Sequence, residues 1–407
     1  MAFFKRTIKD VPLDRKTVLV RADYNVPLSK TGAISDDLRI RASVPTIEYL
    51  LKHHCKVVIM SHLGRPEGRD ASLSLKPIAK RLGELLDHKV DFVDDCIGDK
   101  VARAVKKAPQ GSVILLENLR FYSEEEANDE DFAKNIATST AARYFVQDGF
   151  GVVHRAHAST DAITHYIPSV AGLLLEKEYV TITNAMGKPK RPLVAVMGGA
   201  KVSDKITVIE RFVDIADKII IGGAMANTFL QYKGHHMGAS MVEEGQEKVL
   251  DGIYTAAHKK LDTSIEDFIV LPTDVAVAHE AVEGQKRRNV KLGNLAKDDK
   301  ALDIGDDSIE RVAEEVAQAE TVIWNGTLGY AELPEFAHGS ARLALELAAR
   351  PETTSIIGGG DTADFVLKWD GHGGESFTHV STGGGASLEL MAGKKLPGVE
   401  SLLDAPR

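Results

Sequence analysis

The 407-residue sequence predicts an α/β protein: two doubly wound parallel-sheet lobes joined by a hinge helix. Three observations carry this prediction. Short apolar runs alternate with longer amphipathic stretches along the chain, and the runs are apolar throughout rather than at every second residue. Near the middle, a charged stretch running into a Gly/Lys/Pro cluster interrupts the pattern. A strand that is apolar on both faces is buried on both, and helices packed on either side of a parallel sheet provide that burial.

In the first half the runs TVLVR (17–21), KVVIM (56–60), SVILL (112–116) and YFV (144–146) read as strands. SLKPIAKRLGELLDH (74–88) and FAKNIATSTAA (132–142) between them read as helices. The second half offers LVAVM (193–197), KIIIGG (218–223), DFIVL (267–271), TVIW (321–324), TSII (354–357) and THV (378–380). Together these strands are too many for one ordinary sheet. The divider EKEYVTITNAMGKPKRP supplies a linker or hinge helix over 176–192, leaving lobes at 1–175 and 193–392 and a tail at 393–407.

The composition is 43% hydrophobic and 27% charged with 35 Gly, which excludes a disordered or collagenous chain. A net charge of -9 argues against broad binding to nucleic acid or to an anionic membrane. Cys55 and Cys96 are too few and too isolated for a metal cluster and read as buried, reduced thiols. MAFFKRTIKD lacks the apolar stretch of a signal peptide, and no run is long enough to span a bilayer. A cytoplasmic globular protein is expected.

Ligands of open parallel sheets bind beyond the carboxyl ends of the strands. In the first lobe those exits read RADYN (21–25), SHLGRP (61–66), ENLRF (117–121) and QDGFGVVHRAHAS (147–159). Each contains an arginine: Arg21, Arg65, Arg120 and Arg155. Arg39 and Arg41 follow in the first crossover, and His62, His154 and His157 stand close by. A single surface arginine usually pairs with a carboxylate. Four at one rim point instead to a small polyanion, because the guanidinium fork matches carboxylate and phosphate. His62 reads as a ligand contact and His154 as structural, while both readings stay open for His157.

The second lobe's exits are rich in glycine: MGGAKVSDK (197–205), GGAMANTF (222–229), WNGTLGYAE (324–332), GGGDTA (358–363) and STGGGASLE (381–389). One such turn is merely tight. Five suggest backbone N–H groups and helix N-termini gathered around a nucleotide's phosphates. No G-x-x-x-x-G-K-[ST] motif occurs. Gly358–Ala363 satisfies G-x-G-x-x-A, but it sits near the C-terminus and Glu375 falls in a loop, so a nicotinamide dehydrogenase is disfavoured. Lys201 and Lys205, four apart at a helix start, face one way and favour phosphate. Asp361 alone is as good a helix cap as a metal ligand; beside phosphates it favours Mg²⁺.

The motifs RADYNVPL, LRIRASVPTI, SHLGRP, LLENLRF, HRAHAS, GGAKVSDK, LPTD, TVIWNG, IIGGGDTA and HVSTGGGASLELMAGKKLPGV resemble the phosphoglycerate kinase family in order and spacing over nearly the whole chain. The resemblance implies two Rossmann-like lobes, with the tail after about residue 393 returning to the first. It implies reversible transfer of the acyl phosphate of 1,3-bisphosphoglycerate to MgADP, giving 3-phosphoglycerate and MgATP, by a cytoplasmic monomer of glycolysis. Asp23, Asn25, Arg39, His62, Arg65, Arg120 and Arg155 would hold the phosphoglycerate. Lys201 would meet the transferring phosphoryl group together with Arg39, Gly383 and Gly384. Lys205, Gly222, Gly223, Asn325, Gly358, Gly359, Gly360 and Thr362 would line the nucleotide, Glu332 its ribose, and Asp361 would serve Mg²⁺.

The sequence departs from the family pattern at Gln147 and Gly149 (for Asn and Ala), Asn227 (for an aromatic), Asp306 (for Pro), and Thr327 and Ala331 (for Pro and Phe). Asn227, Asp306, Thr327 and Ala331 all fall in the nucleotide lobe, which leaves base preference open. A two-lobed anion-binding protein without catalysis would leave Lys201, Asp361 and the glycine exits without a role.

Overall fold

The computed structural model describes residues 3–29, 31–261 and 264–406, so positions 1, 2, 30, 262, 263 and 407 of the expected lobes and tail lie outside the description. The chain forms two compact units, Met1–Thr181 with Lys394–Arg407, and Ile182–Gly393.

In the first unit β1 (Thr17–Arg21), β2 (Lys56–Met60), β3 (Val90–Val93), β4 (Val113–Leu116), β5 (Tyr144–Gln147) and β6 (Ser169–Ala171) make one parallel sheet, ordered β3-β4-β2-β1-β5-β6. Every residue of β2 and β4 is buried, and each such apolar side chain contributes about 1.5–3 kcal/mol. Arg21 is level with Met60 and Gln147, and Ile59 with Leu115. The four arginine-bearing exits therefore leave at one edge. β3 and β6 carry no clear sequence signal: β3 interrupts its apolar residues with exposed Asp91, and β6 has three residues. The expected helix over 132–142 runs Glu130–Thr140; the Asp129 carboxylate accepts from Phe132 N–H at its start, and Ala141 leaves it with φ 47°.

In the second unit β7 (Leu193–Met197), β8 (Lys218–Ile221) and β9 (Ile269–Val270) are followed by β10 (Asp274–Ala278), β11 (Arg288–Lys291) and β12 (Lys300–Ile304). Then come β13 (Thr321–Asn325), β14 (Thr354–Gly358) and β15 (His379–Val380). The main sheet is ordered β15-β14-β13-β7-β8-β9, and Asn325 is level with Met197 and Gly358. The glycine exits thus share an edge as the arginine exits do.

Two features differ from the sequence expectation. DFIVL was expected as one strand, but Ile265–Phe268 is a helical turn and only Ile269–Val270 pairs with β8. A separate antiparallel sheet, β11-β10-β12, was not expected: β11 (RNVK) is largely exposed and offers no apolar run, and the buried run of β10 (DVAVA) was not read as a strand. That sheet also explains Asp306. It opens the helix Asp306–Ala317, where proline is favoured for lacking a donor. Aspartate serves the same place by facing the helix dipole and pairing with Arg287 at 2.7 Å and with Asn289 of β11.

The chain passes from the first unit to the second inside the helix Leu173–Gly187, whose start is capped by Asp148 accepting from Leu174 N–H at 3.0 Å. Past Gly393 the tail belongs to the first unit. The buried ammonium of Lys5 donates to the Glu400 and Leu402 carbonyls at 2.7 and 2.9 Å and pairs with Asp404. Gly398 N–H donates to the Val153 carbonyl at 2.9 Å. Among the described residues no helix is long and apolar enough to cross a membrane.

Candidate active site

The first unit gathers its cations at the sheet edge. Asp23 and Asn25 follow β1 and turn back on their neighbours. Asp23 Oδ1 accepts from Asn25 N–H at 3.1 Å and Oδ2 lies 3.8 Å from Arg39, while the Asn25 carbonyl accepts from Arg39 Nη1 at 2.5 Å. These contacts aim Arg39 from the helix Leu38–Lys52. Asn25 Oδ1 accepts from Gly64 N–H at 2.8 Å and the Gly64 carbonyl accepts from Arg120 Nη1 at 2.7 Å, linking the exits of β1, β2 and β4. Asn118 closes the network, donating to the Leu63 and Leu73 carbonyls.

Arg65 is exposed and makes no ion pair among the described residues. Arg155, half-buried, donates through Nε to His154 Nε2 at 3.1 Å, which accords with a structural His154. Arg41 instead pairs with Asp37 at 2.6 Å, the ordinary surface arrangement. Burial, then the charges of Arg21, Arg120 and Arg39, hold the His62 imidazole well below the usual histidine range. Burial with Arg21 and Arg120 pushes His157 down to about 4. His62 and His157 are therefore neutral at pH 7, and the arginines carry the positive charge of the rim.

Sequence reasoning placed Arg21 among the rim arginines, but its guanidinium is 1% exposed and turned inward, donating to Ser159 Oγ at 2.7 Å. It missed Glu125, which is buried beneath the rim. Within the run Glu124–Glu126 that residue looks like one of three solvated carboxylates.

In the second unit the exits of β7 and β13 cross in backbone contact: Gly198 N–H donates to the Asn325 carbonyl at 2.9 Å and Gly199 N–H to the Thr327 carbonyl at 3.0 Å. A Cβ at Gly198 would strike the Thr327 carbonyl. Gly222 precedes the helix Gly223–Tyr232, and Gly223 N–H donates to the Leu328 carbonyl at 2.9 Å, bringing the β8 exit to the same place. Thr362 Oγ1 accepts from Gly326 N–H at 2.7 Å, and Ser387 Oγ would lie 3.5 Å from a Cβ on Gly358. The Gly358–Gly360 exit and the helix Gly385–Met391, which follows Gly383 and Gly384, are therefore neighbours.

Lys205 Nζ donates to the Gly198 and Asn325 carbonyls at 2.7 and 3.1 Å and, among the described residues, meets no carboxylate within ion-pair distance. Burial, opposed by Asp361 and Asp204, lowers it from 10.5 to about 8. Asn325 Nδ2 is buried without a partner and would lie 3.2 Å from a Cβ on Gly359. Asp361 sits in the first turn of the helix Gly360–Asp370, whose cap position is Gly359, so its exposed carboxylate is not the cap. Lys201 and Glu332 are exposed on their loops. Of the departing residues, Asn227 donates to the Met241 carbonyl at 3.1 Å and Thr327 Oγ1 to the Gly329 carbonyl at 2.9 Å.

The Lys205 environment gives a pH prediction. An unfolded lysine holds its proton to about 10.4, so between about 8 and 10.4 the unfolded chain binds the extra proton and this group makes stability rise with pH. An anion beside Nζ reverses the shift. Binding of ADP at pH 8 is expected to take up about half a proton, read by calorimetry in buffers of different ionisation enthalpy. A heat independent of buffer would refute the placement of Lys205 against phosphate.

Residues 8–394 match the phosphoglycerate kinase family model. The chain is 46% identical over 403 residues to phosphoglycerate kinase of Dictyoglomus turgidum, covering 98% of this chain and 99% of that one. It is 46% identical over 401 residues to that of Moorella thermoacetica, with the same coverage. Solved phosphoglycerate kinase structures from Coxiella burnetii and Pyrococcus horikoshii superpose with TM-scores of 0.83 and 0.84 at 35% and 32% identity, each covering 98% of both chains. With a family model matched over nearly its whole length and relatives of 44–46% identity covered almost end to end, the chain belongs to the phosphoglycerate kinase family.

Proposed function

We propose that the arginine rim of the first unit holds 3-phosphoglycerate or its acyl phosphate, and that the glycine exits of the second hold MgADP or MgATP. Membership of the family gives the reaction: reversible transfer of the acyl phosphate of 1,3-bisphosphoglycerate to ADP, yielding 3-phosphoglycerate and ATP in glycolysis. The observation that carries the assignment is the contrast between the two edges. The first offers arginines in excess of nearby carboxylates, and the second offers, among the described residues, a lysine without a carboxylate partner and a buried amide donor without an acceptor.

The attacking group is already an anionic oxygen, so the reaction calls for positioning and charge neutralisation rather than a general base. In this reading Asp23 and Asn25 orient Arg39, and His62, Arg65, Arg120 and Arg155 fix the phosphoglycerate. Arg39, Lys201 and the backbone at Gly383 and Gly384 face the transferring group. Lys205, Gly222, Gly223, Asn325, Gly358, Gly359, Gly360 and Thr362 surround the nucleotide phosphates, and Glu332 takes the ribose. The exposed Asp361 carboxylate at a glycine-rich helix start suits Mg²⁺, which binds through one or two carboxylates and the substrate's phosphates. When bound, Mg²⁺ would neutralise phosphate charge. The donor and acceptor belong to different units, so transfer is expected to await a closing motion that also excludes water. A cytoplasmic monomer completes the reading.

The test is turnover of the purified protein with 3-phosphoglycerate and ATP or GTP in parallel, which also decides base preference. Arg65→Ala is expected to raise KM for 3-phosphoglycerate about tenfold, as loss of a charge-assisted hydrogen bond does. Arg39→Ala should lower kcat instead. Should both alter only nucleotide affinity, the assignment of ligands to units is reversed.

A further inference from the structure

Beneath the basic rim runs a chain of buried polar groups that ends at His62 and whose other members, Glu125, Ser159 and Arg21, the proposed mechanism does not use. Glu125 accepts twice from Ser159, from the hydroxyl at 2.5 Å and from the backbone N–H at 3.0 Å. Ser159 Oγ accepts from Arg21 Nε at 2.7 Å, and Arg21 Nη1 donates to the Ala22 carbonyl at 2.5 Å. The remaining Arg21 nitrogen, Nη2, lies 3.2 Å from His62 Nδ1. Glu125 Oε1 is 3.8 Å from Arg21 Nη2 and 3.9 Å from His157 Nδ1. Glu125 and Ser159 have no exposed surface, and Arg21 and His62 have almost none.

A guanidinium has donors and no acceptor, so its contact with Nδ1 requires a lone pair there. A proton on Nδ1 would set two N–H groups against each other. The ring is neutral near pH 7, its charged form disfavoured by burial and by Arg21, Arg120 and Arg39. With the charge fixed, the remaining choice is which nitrogen carries the proton. A buried guanidinium in turn needs a counter-charge to stay in place, and Glu125 supplies one through Ser159.

We propose that Glu125 is a positioning residue: through Ser159 and Arg21 it holds His62 in the tautomer protonated on Nε2, so that the ring offers an anionic substrate a donor. A neutral imidazole with the opposite tautomer would turn a lone pair toward the same oxygens and repel them. The role rests on the reading of this rim as the phosphoglycerate site.

The test is long-range ¹⁵N–¹H correlation spectroscopy of full-length protein labelled in histidine, with His62 assigned by His62→Gln. In the wild type Nδ1 is expected at the shift of an acceptor and Nε2 at that of a protonated nitrogen. In Glu125→Gln and in Ser159→Ala the two signals should move toward each other as both tautomers become populated. KM for 3-phosphoglycerate should rise about tenfold in both, with kcat changed less than about threefold, and Glu125→Asp should recover part of the loss. Ser159→Ala removes a hydroxyl and no charge, so it carries the test if Glu125→Gln does not fold. A wild-type His62 protonated on Nδ1 overturns the proposal, as do folded variants with wild-type signals and KM. If titration with 3-phosphoglycerate leaves the wild-type His62 signals in place, the site reading falls. If they move and the variants match the wild type, only the role of Glu125 falls.

Discussion

Lys201→Ala is expected to lower kcat about a hundredfold to a thousandfold while KM for 3-phosphoglycerate stays within about threefold of the wild type. The side chain is exposed and makes no hydrogen bond or ion pair among the described residues, so its loss should leave the fold intact. Lys205, four residues on, is pinned between the Gly198 and Asn325 carbonyls and cannot take its place. A group that binds both the ground state and the transition state would raise KM instead. Lys201, exposed and without a hydrogen bond or ion pair among the described residues, suits a contact made only when the phosphoryl group is in flight. Turnover near the wild-type rate would remove it from the mechanism, and a raised KM for ADP alone would make it a nucleotide contact.

Gly326→Ala is expected to cost the second unit about 2–5 kcal/mol, the sum of a left-handed residue and an overpacked contact. Gly326 has φ 97°, and a Cβ there would strike the Gly198 carbonyl and come within 2.5 Å of Lys205 Nζ. Neither exit has room to withdraw, since each is hydrogen-bonded to the other. Both tryptophans of the chain, Trp324 and Trp369, lie in this unit, and Trp324 Nε1 donates to the Gly326 carbonyl at 2.8 Å. Tryptophan fluorescence during urea unfolding therefore follows the second unit alone. The midpoint should fall, and nucleotide affinity with it, because Lys205 would be displaced. An unchanged midpoint would mean that the crossing of the two exits is not the constraint described here.

The main sheets were legible because parallel strands buried on both faces cannot hide: LVAVM and, after Lys56, KVVIM are apolar without interruption, and the structure buries every residue of both. Most of what escaped lacks that signature; β10 (DVAVA) is the exception, a run buried at every residue yet not expected as a strand. β11 is mostly exposed, and β6 is held by its neighbour and by the tail rather than by its own apolar run. At the candidate site, residues at strand exits could be found because the carboxyl edge is where side chains from distant segments converge. Glu125 could not, since it lies past the β4 exit in a turn and its burial is decided by Ser159 and Arg21, far off in sequence. Arg21 shows the complementary error. An arginine at an exit faces the ligand or the layer beneath it according to where its partners are, and residue type alone does not say which.

The tail has a consequence for the order of synthesis. Lys5 is held by carbonyls that follow it by almost the whole chain, and Leu403 N–H donates to Ser169 at the β6 edge. The second unit is one continuous stretch, Ile182–Gly393, that leaves the ribosome before those partners exist. At about 5–20 residues per second that interval is roughly 10–40 s. Throughout it the first unit, though begun earlier, has an uncovered edge strand and a Val153–Arg155 loop without its Gly398 brace. The first unit thus gains its last brace, at the loop that carries Arg155, only after the whole second unit has been made.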